Sequence, residues 1–283
     1  MCHHAPHTLN LVSMSVAAVY SVYAFDESQE DYADALRLLF GEVKRRWPEL
    51  TTLSVLNWPP EATMPLDVWV TLYPNLDQPK FKAAREAFQA AGKQVWGYHC
   101  VAPDQPEYLN TFLDVPPIKS RLLPWIGAVH NLTGWLFWYT NWGFRHAPSA
   151  ADISTGAIAP LAELSDKGRS QYNPLVGPVD AQGKPEPWHS TNEDGNWVYA
   201  GVDEAWASQR LELWRLGLED LALLQLLGPA QAQELARRLV RTSADYTFNA
   251  TLLEHTRAEV VARLVTQQHN CAIPSVHRTS YYP

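Results

Sequence analysis

Ala17-Ala-Val-Tyr-Ser-Val-Tyr-Ala-Phe25 is an apolar run that ends in two adjacent carboxylates, Asp26-Glu27, and an amphipathic segment follows a few residues later. In that segment Leu36, Leu39, Phe40, Val43 and Trp47 fall at helical spacing, which predicts a helix ending before Pro48. Strand followed by helix is therefore the first unit. Residues 51–56 and 68–72 read as two more strands, joined by a Pro-containing segment without helical periodicity. The theme then repeats. Phe81, Ala84 and Phe88 mark a helix that Gly92 ends, residues 95–99 form a strand, 118–129 a helix, and 134–139 a strand with apolar residues on both faces. This alternation predicts an α/β fold with a parallel sheet covered by helices.

No Gly-rich phosphate loop follows any of these strands, which lowers the case for a nucleotide-binding sheet. Polar and aromatic residues follow them instead: Asp26-Glu27, Asn57-Trp58, Tyr73 and Asn75, Cys100, and Asn141-Trp142. Function gathered at the carboxyl ends of parallel strands is the arrangement of a (β/α)8 TIM barrel. Only five strands are legible, so the barrel is expected to be incomplete. The expected organisation is an N-terminal tail over 1–16, a partial barrel carrying the Asp-Glu pair over 17–142, a long loop over the barrel mouth at 143–201, C-terminal helices packing on the barrel over 202–266, and a tail over 267–283. Trp188, Trp197 and Tyr199 are the residues expected to cover the mouth. Within the C-terminal part, Leu211, Trp214, Leu218 and Leu221 define a helix over 206–227, and two shorter helices are expected near 230–241 and 250–265.

The formal charge of −8 (22 basic against 30 acidic residues), without a long basic run, argues against nucleic acid as a partner. Twelve Trp and twelve Tyr suit a neutral, hydroxyl-rich ligand, because sugars lay their C–H faces on aromatic rings; filling the core is the competing use of the same residues. Cys2, Cys100 and Cys271 show no paired spacing, so neither a disulfide framework nor a structural zinc site is expected. No stretch reads as a membrane span. The apolar run before Asp26 lacks a preceding Lys or Arg and is read as a strand, not a signal core, so compartment stays unassigned.

Two carboxylates side by side push their proton affinities apart, so one can donate a proton while the other stays ionised. That suits acid-assisted hydrolysis of a sugar acetal. A solvated helix start, with an acid facing the positive end of the helix dipole, is the alternative reading of the pair. Asn57 and Asn141 could recognise hydroxyl or acetamide groups, and Tyr98, Trp138 and Trp142 could stack on a sugar; barrel packing and loop hydrogen bonding are the competing roles. Asp114 and Arg121 read as a structural ion pair, and Arg210, Glu212, Glu219 and Asp220 as anchors of their helix.

Tyr23-Ala-Phe-Asp26-Glu27, Trp96-Gly-Tyr98-His-Cys100, Asn110-Thr-Phe-Leu-Asp114 leading to Arg121 and Pro124-Trp125, and Gly134-Trp-Leu-Phe-Trp138 leading to Asn141-Trp142 together resemble the catalytic domain of glycoside hydrolase family 123. The likeness continues in Asp194-Gly195 before Tyr199 and Gly201, and in Arg210-Leu-Glu212 leading to Gly217-Leu-Glu219-Asp220. The resemblance implies removal of a terminal β-linked N-acetylhexosamine, N-acetylgalactosamine first, with the substrate's own acetamido group as nucleophile and no metal or cofactor. By it Glu27 is the general acid and Asp26 orients the acetamide and stabilises the oxazolinium intermediate. Asn57, Trp58, Tyr73, Tyr98, Trp138, Asn141 and Trp142 are the expected substrate-binding residues. Ser28 stands where the family commonly has Pro.

Consecutive side chains of a regular strand point to opposite faces, so both acids enter one site only if the strand has ended or bulges there. The resemblance also places the pair after the fourth strand of a full barrel, which makes the visible strands numbers four to eight of a truncated one. Three readings of that truncation stay open: an incomplete product, a barrel closed by a second copy or partner chain, and a degenerate relative. Non-catalytic carbohydrate binding is accordingly the alternative function. A metal hydrolase built on Asp26, Glu27 and His99 is a third.

Overall fold

A computed structural model of the chain describes residues 21–140, 194–195, 197–200 and 205–271. Five parallel strands form one curled sheet, a half-barrel, in the order β1 (Ser21–Tyr23), β2 (Thr51–Val55), β3 (Val68–Leu72), β4 (Gln94–His99), β5 (Gly134–Phe137). Each strand pairs with the next in sequence, as right-handed crossovers in a barrel-like sheet require. Helices α1 (Ala33–Arg46), α2 (Pro79–Ala90) and α3 (Ile118–His130) connect the strands, and short 3-10 turns precede α1 (Glu30–Tyr32) and α2 (Tyr73–Asp77). No helix lies between β2 and β3, in line with the aperiodic Pro-containing segment there.

The sheet separates two sets of side chains by strict alternation. Leu53, Val55, Val68, Val70, Tyr98 and Cys100 cluster on the inner, concave face, with Leu72, Trp96, Leu136 and Trp138 packed against them. Leu56, Trp69, Tyr73 and Val95 turn the other way, into the main core shared with the helices. Leu36 and Phe40 of α1 and Phe81 and Phe88 of α2 are fully buried in that core, whereas Leu39 and Trp47 are exposed. Gly92, at φ 75°, ends α2 in the left-handed region.

The C-terminal part begins with a short antiparallel pair, β6 (Val198–Ala200) and β7 (Ala205–Ala207), followed by α4 (Gln209–Leu226), α5 (Pro229–Ala236) and α6 (Ala250–Cys271). The expected helix from 206 starts later because Ser208 caps it: the Ser208 hydroxyl accepts the Leu211 N–H at 3.1 Å. The final helix runs six residues beyond 265, into a stretch expected to be tail. On α4 the buried face is also rotated from the leucine repeat. Arg210, Trp214, Gly217, Asp220 and Leu224 are buried and Leu218 is exposed. α4 packs so closely on α3 that a Cβ on Gly217 would lie 2.5 Å from the Arg121 carbonyl oxygen.

Arg121 pairs with Asp220 (3.0 Å) and Glu254 (2.6 Å), not with Asp114. Asp220 is buried and also accepts from Arg257 at 2.8 Å and from the Trp125 indole at 3.3 Å. One carboxylate thereby ties α3, α4 and α6 together. Glu212 and Glu219, by contrast, pair with Arg215 on the exposed side of α4.

Candidate active site

β1 ends at Tyr23, and the chain then leaves strand geometry at two residues: Phe25 takes φ 58° and Glu27 φ 48°. Left-handed backbone at residues with a Cβ costs about 1–2 kcal/mol each and must be held in place. Three contacts do so. The Ser54 hydroxyl lies 2.6 Å and 2.7 Å from the carbonyl oxygens of Ala24 and Phe25, Ser28 forms a parallel bridge with Leu56, and the Trp58 indole donates to the Ser28 carbonyl at 2.9 Å. This turn resolves the conflict between two neighbouring acids and a two-residue strand period: the strand has ended before the acids begin.

Both acids are accessible to solvent, as a site that admits substrate requires. Asp26 accepts a hydrogen bond from the Tyr23 hydroxyl. Partial burial is the largest influence on Glu27 and pushes its carboxyl above the ordinary range; the charge of Asp26 adds to this, while hydrogen bonds from Tyr98 and Asn57 oppose it. Asn57 is oriented by its own oxygen, which accepts the Leu72 N–H at 3.1 Å and lies 3.4 Å from the Asn75 amide nitrogen. Its nitrogen is thereby left to face Glu27.

Tyr98 also hydrogen-bonds the Cys100 thiol, a buried free cysteine. Burial raises that thiol, and the negative charges of Asp194 and Glu27 raise it further. Asp194 lies in the same inner-face environment. Its Oδ2 accepts the Trp138 indole N–H at 2.8 Å, and burial pushes the carboxyl up to about 6 against the opposing effects of Trp138, the Gly195 N–H and Arg210. Sequence reasoning left Asp194 and Cys100 out of the site. Cys100 had a usable signal, since it lies two residues beyond Tyr98 and so shares its face.

Asp26, Glu27, Asn57 and Tyr98 thus come together, and Trp138 lines the same concave face. Two expected substrate-binding residues do not join them. Tyr73 is fully buried in the helix-side core, where its hydroxyl donates to the Leu109 carbonyl. Continuing the alternation of Trp69 and Thr71 carries it away from the concave face. Trp58 is buried as well and supports the turn from behind. Asn141 and Trp142 lie outside the described residues, as does Trp188.

Trp197, expected over the mouth, instead stacks on Phe137 at 4.1 Å between ring centroids, in the buried layer with His99 and Trp214. His99 is fully buried on that same side. Its Nδ1 accepts the Trp135 indole N–H at 2.8 Å, and burial lowers it to about 3. A metal site joining His99 to Asp26 and Glu27 is therefore ruled out by geometry, since the sheet lies between them. Among the described residues no three His, Cys, Asp or Glu side chains are grouped to hold a metal ion, and no helix is long and apolar enough to cross a membrane.

A half-barrel presents a carboxylate pair at the carboxyl end of a parallel strand, with Glu27 raised first by partial burial and then by the charge of Asp26, an arrangement that hydrolysis of a glycosidic bond can use. The family model described as glycoside hydrolase 123, catalytic domain, matches residues 21–227, and the chain belongs to that family. No curated protein gives a significant individual match.

Proposed function

We propose that this glycoside hydrolase removes a terminal β-linked N-acetylhexosamine, N-acetylgalactosamine first, by substrate-assisted catalysis with retention. The observation that carries the reading is the turn after β1: it presents Asp26 and Glu27 together, and there partial burial, with the charge of Asp26 added, raises Glu27. Glu27 gives its proton to the glycosidic oxygen as the bond to the anomeric carbon breaks. The acetamido oxygen of the substrate forms the new bond to that carbon, and Asp26 orients the acetamide and balances the charge of the oxazolinium that results. Water then attacks the anomeric carbon, its proton passes to Glu27, and the ring opens to the acetamide. Tyr23 holds Asp26, while Asn57 and Tyr98 hold Glu27.

Glu27→Gln is the test. Turnover of an aryl N-acetyl-β-galactosaminide should fall by roughly 10²–10⁴-fold, the range expected for loss of a general acid, while binding of the thiazoline analogue of the intermediate persists in calorimetry. Equal turnover in the variant would remove Glu27 from the mechanism. Thiazoline binding by a wild-type chain that turns nothing over would identify a non-catalytic carbohydrate-binding relative.

A further inference from the structure

Among the described residues β1 pairs only with β2, which makes it an edge of the sheet and a template for a further strand. Helix α1 extends the same flank. Leu36, Phe40 and Val43 bury the face of α1 that lies on the sheet. Arg37 reaches Glu61 at 3.3 Å and Lys44 reaches Asp67 at 2.5 Å, and both acids lie between β2 and β3, so that side of α1 points along the sheet towards β3. At about 100° per residue, Tyr32, Ala35, Leu39 and Arg46 fall on the opposite side of the helix, over the open edge of β1.

The middle of this flank is apolar. Tyr23, Phe25, Tyr32, Leu38 and Leu39 are all exposed, Leu38 by 76%, and the ring of Phe25 packs on that of Tyr32 at 6.2 Å between centroids. Charges of opposite sign stand at its two ends. Glu30 and Asp31, at the start, are exposed and form no ion pair among the described residues. At the far end Arg45 and Arg46 share one carboxylate, that of Glu42, at 2.7 Å and 2.5 Å. A face with an apolar centre, an acidic end and a basic end complements itself when turned about a two-fold axis. Leu39 then meets the partner's Leu39, and the Arg46 end of each helix meets the acidic end of the other. The same rotation lays the two β1 edges antiparallel, so one axis serves both sheet and helix. We infer that this flank binds a second copy of the chain, α1 against α1 and β1 against β1. The contact abuts the turn that carries Asp26 and Glu27, because Tyr23 holds Asp26 and Phe25 lies on Tyr32.

Analytical ultracentrifugation of the 283-residue chain tests this. The wild type should sediment as a dimer that dissociates on dilution, and Leu39→Lys, at an exposed position, as a monomer with an unchanged near-ultraviolet circular dichroism signal. Charge reversal then reads the orientation. A Glu30→Lys, Asp31→Lys chain has two basic ends and an Arg46→Glu chain two acidic ones, so each alone should dimerise at least about tenfold more weakly than wild type. An equimolar mixture of the two should recover the wild-type strength as a heterodimer. Acids at the start of a helix and bases at its end also suit that helix's own dipole, but mixing cannot repair a loss of that kind. A wild-type monomer at roughly 100 μM overturns the inference and leaves residues 1–20 of the same chain as the occupant to examine. A dimer indifferent to Leu39→Lys, reversed chains that stay weak when mixed, or open-ended assembly overturns it too. If a reversed chain loses its circular dichroism signal, Leu39→Lys decides alone.

Discussion

The side chain of Asn57 faces Glu27 with its nitrogen because its oxygen is fixed on the backbone N–H of Leu72, at 3.1 Å. The end of β3 thereby orients one of the groups that act on the proton affinity of a residue that follows β1. The hydrogen bond favours the ionised form of Glu27 and works against the upward push of partial burial and Asp26. Asn57→Ala removes it, so Glu27 should hold its proton to higher pH. In the pH profile of kcat/KM the alkaline limb, where a general acid is lost, should move upward; Tyr98→Phe should move it the same way. A limb that stays in place or moves down in both variants would show that it does not report Glu27.

His99 makes an acid-stability prediction with a definite sign. An unfolded histidine takes up a proton near pH 6.5, whereas the buried, neutral His99 resists doing so until about 3. Between these values the unfolded state binds more protons, so stability falls as pH falls. At 1.36 kcal/mol per unit, the contribution lost by pH 5 is about 2 kcal/mol. Asp194, raised to about 6, acts in the opposite direction in the same window, so the quantity to read is the difference between wild type and His99→Gln. Urea midpoints measured from pH 7 to 5 should fall more steeply in the wild type. Parallel slopes would mean that His99 is not held neutral.

Much of this architecture was legible because period and polarity are local properties. The runs of β2 to β5 and the apolar spacing of α1, α2 and α3 each announce their element, and their order announces a parallel sheet. The direction each residue faces was less legible. Tyr73 and Trp58 looked like ligands because they follow strands, yet alternation takes Tyr73 to the helix side and Trp58 is drawn behind the Asp26–Glu27 turn. Trp197 likewise goes to the aromatic layer of Phe137 and His99, a long-range contact that no local pattern encodes. The turn itself, with φ positive at Phe25 and Glu27, depends on Ser54 from the neighbouring strand and has no glycine to mark it.

Asp220 is the buried centre of a charge network whose outer member, Glu254, is exposed. The two should differ sharply in what they contribute. Asp220→Asn leaves Arg121 without its buried counter-charge and should cost about 3–5 kcal/mol in urea unfolding. Glu254→Gln breaks a shorter contact of the same arginine, yet at a solvent-screened site it should cost less than about 1 kcal/mol. Equal effects would mean that burial does not control the network.

Gly217 and Gly41 lie within helices, and replacing each by Ala should have opposite signs. At Gly217 the added Cβ would meet the Arg121 carbonyl oxygen at 2.5 Å and the Pro124 ring at 2.9 Å, so α3 and α4 must move apart. Backbone cannot swing aside as a flexible side chain can, and overpacking of this kind costs about 1–3 kcal/mol. At about 2–4 °C per kcal/mol, Tm should drop by several degrees. At Gly41, inside α1, nothing lies within 4 Å of the added Cβ. There the gain in helix propensity, about 0.5–1 kcal/mol, should raise Tm slightly. A Gly217→Ala protein as stable as Gly41→Ala would show that the helices pack less closely than this, and with them the Arg121–Asp220 pair.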